Sequence, residues 1–248
     1  HQTYDYQEIL DNLIVYAPVN TKVRVGQSLD GGYVIVDGYD YDYYISCGLG
    51  NNISFELDFC SSKPNIKGAA FEHSDYPTDR LPANLSFVKK NIGENNSEIE
   101  TNLEEEIEPY NDVFIKMDIE GWEWNWLKGF DKLEKVKQIT LEVHGFLDTG
   151  WTEIGQFNYE DILSGLQKFN KTHYLVHAHG NNAAKVGIHN NEEYPTVLEL
   201  TYIRKTDCKI YGLNKTPLPV PSLDFSNNRM EPDININKYP FVSADNDT

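Results

Sequence analysis

From residue 43 to residue 203, short apolar runs alternate with segments whose apolar residues recur at helical spacing. This alternation restricts the fold more than any other feature of the chain, because strands that are separated by helices run parallel in one sheet. The predicted strands cover residues 43–46, 66–71, 85–89, 112–117, 136–143, 173–177 and 197–203. The predicted helices cover residues 54–60, 97–108, 121–130 and 159–169. We therefore expect an α/β fold with a doubly wound, mostly parallel sheet of seven strands.

The segments on either side of this core are predicted to pack against it. Residues 4–17 have the spacing of a short helix, and the β-rich runs 23–26 and 33–36 flank a glycine turn, which predicts a hairpin. The Pro- and Asn-rich end of the chain carries large apolar side chains that require burial, at Leu218, Leu223, Phe225, Tyr239 and Phe241. We expect one domain over residues 1–248, with a helix and hairpin (1–42), a core (43–205) and a C-terminal wrap (206–248).

The charge balance excludes two classes of partner. The chain has 21 Lys and Arg against 39 Asp and Glu, a net charge of −18. Such a surface is repelled by the phosphates of nucleic acid and by an anionic membrane. Three cysteines without CxxC spacing, no signal peptide and no bilayer-length apolar run favour a cytoplasmic location. Because the chain starts at His1, we expect a domain excised from a longer protein.

Two glycines follow the first predicted strand and precede its helix. Gly48 and Gly50 allow a ligand to approach the backbone closely, and Ser54 is a predicted helix cap. Glu72 ends the next strand, where an acidic side chain suits ribose hydroxyls. The chain lacks GxGxxG and GxxxxGK[ST] motifs, so an adenosine ligand without phosphates fits better than a dinucleotide.

Carboxylates and histidines end three further strands. Asp118 follows the fourth strand, Glu142 and His144 end the fifth, and His179 follows the sixth. The carboxyl ends of parallel strands meet at one edge, so we expect these side chains at one rim. Histidine titrates near neutrality and suits a general base, whereas Asp118 is a candidate base, metal ligand or partner for a cation. Asp118 and Glu142 leave open a Mg²⁺ or Mn²⁺ site, although no HExxH motif or Cys cluster supports zinc.

Three motifs carry a resemblance to a known family. They are Asp30-Gly31-Gly32-Tyr33, the run from Ser46 to Glu56, and Lys116-Met117-Asp118-Ile119-Glu120-Gly121-Trp122-Glu123. Over residues 23–205 the chain resembles the FkbM-type methyltransferases. The resemblance implies a class I Rossmann-like sheet with a reversed last strand, and methyl transfer from S-adenosylmethionine to oxygen.

The resemblance also implies roles for individual residues. Around the methionine part of the cofactor it places Gly48, Gly50, Asn52, Ser54 and Glu56. It makes Glu72 the ribose-binding acid flanked by His73, and it places Asn91 near the adenine and Asp118 near the sulfonium. His144 is the implied base, with His179 as its competitor. Where the family has an acidic residue before the first glycine, this chain has Ser46 and Cys47, so Glu56 is the candidate replacement.

The expected acceptor is a carbohydrate hydroxyl, such as that of a deoxyhexose like rhamnose. Candidate platforms for a sugar ring are Trp122, Trp124, Trp126 and Trp151, at least two of which we expect in the core. The excised character of the chain suggests neighbouring glycosyltransferase domains. A non-sugar acceptor, a metal-dependent hydrolase and a non-catalytic glycan-binding module are the alternatives.

Overall fold

A computed structural model describes residues 5–147 and 158–244. The α-helices are α1 (Tyr6–Asp11), α2 (Ser54–Ser62), α3 (Glu104–Ile107), α4 (Glu123–Gly129) and α5 (Tyr159–Thr172). Two 3-10 helices cover Thr78–Arg80 and Leu133–Lys135. The strands are β1 (Tyr16–Pro18), β2 (Lys22–Val25), β3 (Tyr33–Val36), β4 (Tyr43–Cys47), β5 (Gly68–Glu72), β6 (Leu85–Lys89), β7 (Asn91–Ile92), β8 (Glu100–Thr101), β9 (Val113–Met117), β10 (Val136–His144), β11 (His173–Gly180), β12 (Val186–His189), β13 (Glu192–Pro195), β14 (Val197–Arg204) and β15 (Ile210–Leu213).

Seven of these strands form the central sheet, in the order β11-β14-β10-β9-β4-β5-β6. Strand β14 runs antiparallel to both of its neighbours, whereas the pairs from β10 to β6 are parallel. The prediction of a doubly wound, mostly parallel sheet with a reversed last strand is therefore confirmed. Cys47 pairs with both Phe71 and Met117, so β4, β5 and β9 end side by side.

The central strands β4 and β9 are buried along their whole length, as expected for parallel strands with helices on both faces. On one face, the rings of α2 pack on the sheet, with Phe59 centred 4.6 Å from Phe114. On the other face, Trp124 and Trp126 of α4 are completely buried, which confirms the expectation that at least two tryptophans belong to the core. Trp151 lies outside the described residues.

The acidic segment 97–108 is not the single helix that was predicted. The Ser97 hydroxyl accepts the backbone N–H groups of Ile99 and Glu100 and bends the chain before β8. Asn102 then accepts the N–H of Glu104, where the one-turn helix α3 begins. Side chains that capture nearby N–H groups compete with a continuous helix, and they divide this segment into two short elements.

The two terminal segments lie against the core. Strands β2 and β3 form the predicted antiparallel hairpin, and the helix predicted over residues 4–17 is limited to α1, with β1 following it. In the C-terminal segment Leu218 and Phe241 are buried as expected, but Tyr239 is 47% exposed. All three cysteines are free and buried. Among the described residues, no helix has the length and apolar character needed to cross a bilayer.

Candidate active site

A cleft of about 970 Å³ lies at the carboxyl edge of the sheet, where β4, β5 and β9 end. The glycine turn follows β4, Glu72 ends β5 and Asp118 follows β9. The described residues that line the cleft are Asp30, Gly31, Tyr33, Gly48, Leu49, Gly50, Asn51, Asn52, Phe71, Glu72, His73, Ser74, Lys90, Asn91, Ile92, Ile99, Lys116, Asp118, Ile119, Glu120 and Trp122. The parallel register thus brings the glycine turn, Glu72 and Asp118 together, as the strand order predicted.

The two glycines of the turn have different functions. Gly48 has φ +81°, and a side chain there would put its Cβ 1.8 Å from the carbonyl oxygen of Asp118. Gly50 has φ +55°, and no atom lies within 4 Å of the Cβ that a side chain would add. Gly48 therefore permits close packing against the end of β9, whereas Gly50 leaves open space above the turn. This open cradle suits a ligand that approaches the backbone.

Glu72 connects the end of β5 to the glycine turn. Its Oε1 accepts the N–H of Leu49 at 3.3 Å, and its Oε2 accepts the N–H and hydroxyl of Ser74 at 3.0 and 2.9 Å. Burial opposes ionisation, but these hydrogen bonds and the nearby His73 lower the pKa of Glu72 below its ordinary value. The side chain is therefore an ionised acceptor at the cleft wall, which suits the hydroxyls of a ribose.

Not every residue predicted to bind cofactor reaches the cleft. Asn52, His73 and Asn91 line it, as does Glu72. Ser54 does not cap α2: it is the first helical residue, and its hydroxyl accepts the N–H of Gln27 at 3.1 Å.

Glu56 is completely buried and is not among the residues that line the cleft, where the role expected for it would place it. Its Oε1 accepts the Ser46 hydroxyl at 2.7 Å and lies 3.0 Å from Nζ of Lys116. Lys116 also donates to the carbonyl oxygen of Gly48 at 2.9 Å. Burial disfavours the Lys116 cation, but Glu56 and Asp118 outweigh it and raise the pKa of the ammonium. Glu56 therefore holds Lys116 under the glycine turn, and a replacement for the missing acid must come from elsewhere.

Asp118 and Glu142 form a pair of carboxyl groups at the cleft. Burial, the charge of Asp118 and a hydrogen bond between the two groups raise the pKa of Glu142 well above its ordinary value. Asn181 donates to Oε1 of Glu142 at 2.6 Å, and the Tyr33 hydroxyl donates to Oδ2 of Asp118 at 3.4 Å. Burial and Asp118 therefore favour a proton on Glu142, whereas Asp118 lines the cleft.

His144 is buried behind this pair and is not among the residues that line the cleft. Its Nδ1 lies 3.0 Å from Oε1 of Glu123, which also accepts the His144 backbone N–H at 2.7 Å. Its Nε2 lies 3.7 Å from Oε2 of Glu142. Burial lowers the pKa of His144, but Glu123 and Asp118 outweigh burial and raise it overall. The sequence analysis missed this contact, because the two residues are 21 positions apart in the chain.

His179 has both ring nitrogens occupied by carboxylates. Nδ1 lies 2.6 Å from Oε1 of Glu199, and Nε2 lies 2.8 Å from Oδ2 of Asp233. Burial works against protonation, but these contacts raise the pKa of His179 to about 10. The imidazole is therefore a buried cation at neutral pH, which argues against the base role considered for it.

The metal alternative gains no support from the described residues. They contain no group of three or more His, Cys, Asp or Glu side chains arranged to hold a metal ion. Burial and Asp118 raise the pKa of Glu142, one of the two predicted ligands, well above its ordinary value, which disfavours the ionised form that a metal ion requires.

A family model for the methyltransferase FkbM domain matches residues 31–183 of the chain. No curated protein matches it. Among solved structures, the plantazolicin methyltransferase BpumL in complex with SAH has a TM-score of 0.35 at 9% identity, covering 67% of this chain and 77% of that chain. The precorrin-6y C5,15-methyltransferase from Geobacter metallireducens GS-15 has a TM-score of 0.37 at 13% identity, covering 81% and 87%. The fibrillarin/Nop5p complex has a TM-score of 0.40 at 13% identity, covering 68% and 76%. The fold assignment rests on the strand order and the family match.

Proposed function

We propose, since the chain belongs to the FkbM methyltransferase domain family, that it is an S-adenosylmethionine-dependent O-methyltransferase acting on a sugar hydroxyl. One observation carries the proposal: the sheet register brings a glycine cradle, an ionised acid and a cleft-facing carboxylate to one edge. An adenosine ligand without phosphates requires these groups, and the cleft offers no Walker-type loop for a diphosphate.

Several cleft residues suit individual parts of the cofactor. Gly50 leaves room for close approach to the backbone, Glu72 suits the ribose hydroxyls, and Asn91 and Ile92 form the wall on the adenine side. When bound, S-adenosylmethionine supplies a methyl group on a sulfonium sulfur. Asp118 places a negative charge in the part of the cleft that this cation requires, where little water competes with the attraction.

The chain's own groups have to orient the acceptor and receive its proton. A neutral hydroxyl is a poor nucleophile, and a positioned base accelerates such a step by roughly 10²–10⁴-fold. Asp118 lines the cleft, whereas Glu142 and His144 do not, so we assign the hydroxyl proton to it. His144 is held by Glu123 and lies next to Glu142, so it positions the carboxyl pair of Glu142 and Asp118. This assignment moves the base from His144, the residue expected from the resemblance, to Asp118.

A carbohydrate acceptor is supported by the composition of the cleft mouth. Trp122 is partly exposed there, and an indole face suits the apolar face of a sugar ring. The chain is strongly acidic, which favours a neutral glycan over an anionic acceptor. We propose a deoxyhexose such as rhamnose, presented by neighbouring glycosyltransferase domains, in the cytoplasm. A non-sugar hydroxyl is the second candidate within the same reaction.

The test is calorimetric titration with S-adenosylhomocysteine, with and without EDTA, followed by methyl transfer to a panel of acceptors. Micromolar binding that EDTA does not change supports a metal-free methyltransferase. Labelled methyl transfer to methyl rhamnoside, but not to catechol, supports the sugar acceptor, and the reverse result selects the second candidate. Absence of binding to S-adenosylhomocysteine refutes the proposed function and directs attention to the hydrolase and glycan-module alternatives.

A further inference from the structure

The amino group of the cofactor's methionine part needs an anionic partner that the structure does not provide at the expected position. Ser46 and Cys47 precede the glycine turn and are buried. The buried carboxylate of Glu56 forms an ion pair with the ammonium of Lys116. A completely buried carboxylate that does not line the cleft cannot reach an ammonium bound there. The partner must therefore come from another carboxylate at the methionine end.

Among the described residues, four carboxylates line the cleft, namely Asp30, Glu72, Asp118 and Glu120. Glu72 lies at the ribose end, hydrogen-bonded to Ser74, and Asp118 is paired with Glu142. Asp30 and Glu120 remain as candidates. Only Asp30 is tied to the segment that follows the glycines, because its carbonyl oxygen accepts the side-chain amide of Asn52 at 2.8 Å.

The carboxylate of Asp30 is held in place by the C-terminal segment. Asn227 donates its side-chain amide to Oδ1 of Asp30 at 2.9 Å. The Asp30 residue itself is exposed, so the carboxylate remains open to a ligand in the cleft. An oriented carboxylate with one neutral donor has further acceptor positions for an ammonium.

The loop that carries Asp30 is fixed by Arg24. Its guanidinium donates to the carbonyl oxygens of Gln27 at 2.8 Å and Leu29 at 2.7 Å, and to that of Leu223 at 3.0 Å. The same guanidinium lies 5.0 Å from the ring centre of Phe225. The loop is thus ordered before any ligand binds, which lowers the entropic cost of binding.

We infer that Asp30 accepts the ammonium of the methionine part of S-adenosylmethionine, and that Asn227 and Arg24 position it. A carboxylate from the N-terminal hairpin thereby replaces the acid that is missing before the glycine turn. The inference rests on the proposed function and adds a binding residue to it. It also gives the C-terminal segment, which lies beyond the family match at residues 31–183, a part in the cofactor site.

The test compares two ligands that differ in the amino-acid part. S-adenosylhomocysteine carries the ammonium, whereas 5′-methylthioadenosine keeps the adenosine and sulfur without it. For Asp30→Asn, calorimetry should show S-adenosylhomocysteine binding weakened by roughly 10- to 100-fold and 5′-methylthioadenosine binding changed by less than about twofold. Glu72→Gln should weaken both ligands, and the matched control Glu120→Gln should weaken neither.

Equal S-adenosylhomocysteine affinity in Asp30→Asn and wild type would overturn the inference, and so would equal losses for the two ligands. A selective loss in Glu120→Gln would assign the ammonium to Glu120 instead. If Asp30→Asn does not fold, Asn227→Ala is the alternative variant. It keeps the Asp30 carboxylate but removes the hydrogen bond that orients it, so it should weaken the binding of S-adenosylhomocysteine and not that of 5′-methylthioadenosine. Absence of binding by the wild-type protein would refute the proposed function itself, a result distinct from these.

Discussion

The ammonium of Lys116 lies 3.0 Å from Oε1 of Glu56, and their side chains are only 5% and 0% exposed. Lys116 belongs to β9 and Glu56 to α2, so the pair joins the sheet to the helix that follows the glycine turn. Because Lys116 also donates to the Gly48 carbonyl, the pair supports the turn from below. Its role is to hold the cradle in shape.

Lys116→Met should destabilise the protein by about 3–5 kcal/mol, because it leaves the Glu56 charge buried without a cation. Urea unfolding measures this free energy. The double variant Lys116→Met with Glu56→Gln removes the orphaned charge and should recover a large part of the loss. A loss below about 1 kcal/mol in the single variant would show that the pair does not support the fold.

Glu72→Ala should weaken cofactor affinity more than it lowers turnover at saturating cofactor. The contacts of Glu72 lie away from the reacting atoms and act equally on ground and transition states, so KM rises while kcat is largely retained. Steady-state kinetics and calorimetry with S-adenosylhomocysteine separate the two effects. Unchanged affinity would refute the ribose assignment.

Asp118→Asn should lower kcat by roughly 10²–10⁴-fold, because the amide cannot accept the hydroxyl proton. His144→Gln should reduce kcat less, since His144 acts through Glu142. Circular dichroism confirms that each variant folds. A loss in His144→Gln as large as that in Asp118→Asn would return the base assignment to His144, and wild-type turnover in His144→Gln would exclude any catalytic part for it.

Glu142→Gln should gain stability relative to wild type as the pH rises. The folded-state pKa of Glu142 is raised, so wild type holds a proton that the unfolded chain releases, and its stability falls as pH rises above the ordinary value of 4.5. Glutamine mimics the protonated carboxyl and accepts the same hydrogen bond from Asn181. Unfolding at pH 5 and pH 7 should show the difference growing by up to about 1.4 kcal/mol per pH unit. A pH-independent difference would contradict a protonated Glu142.

His179→Gln should remove a stability loss that wild type shows on the alkaline side. The pKa of His179 is raised from 6.5 to about 10, so its stabilising charge is fully present below pH 6.5 and is lost as pH rises through 10. Because Lys22 beside His177 titrates at about 8 with the opposite sign, the comparison belongs between pH 6.5 and 8. There, wild type should lose up to about 1.4 kcal/mol per pH unit relative to the variant. Parallel stability curves would show that His179 is not a buried cation.

Most strands of the central sheet could be predicted, because the patterns that specify them lie within short stretches of the sequence. Apolar runs, glycine turns and helical spacing are written along the chain, and parallel strands have to end at one edge. The same logic grouped Asp118, Glu142, His144 and His179 at one rim, but of these four residues Asp118 alone lines the cleft. The prediction of a single helix over residues 97–108 was wrong. It relied on the acidic composition and did not consider the hydrogen bonds that Ser97 and Asn102 make to nearby N–H groups.

The sequence by itself determined which segments of the core are strands and helices, the position of the glycine cradle and which carboxylates and histidines end the strands. Only the tertiary structure decided which of these side chains face the cleft. Glu56 turns inward to Lys116, His144 to Glu123 and His179 to Asp233, whereas Asp30 reaches the cleft from a hairpin outside the sheet. The physical reason is that a buried charge requires a partner, and these partners come from distant parts of the chain that meet only in the folded protein.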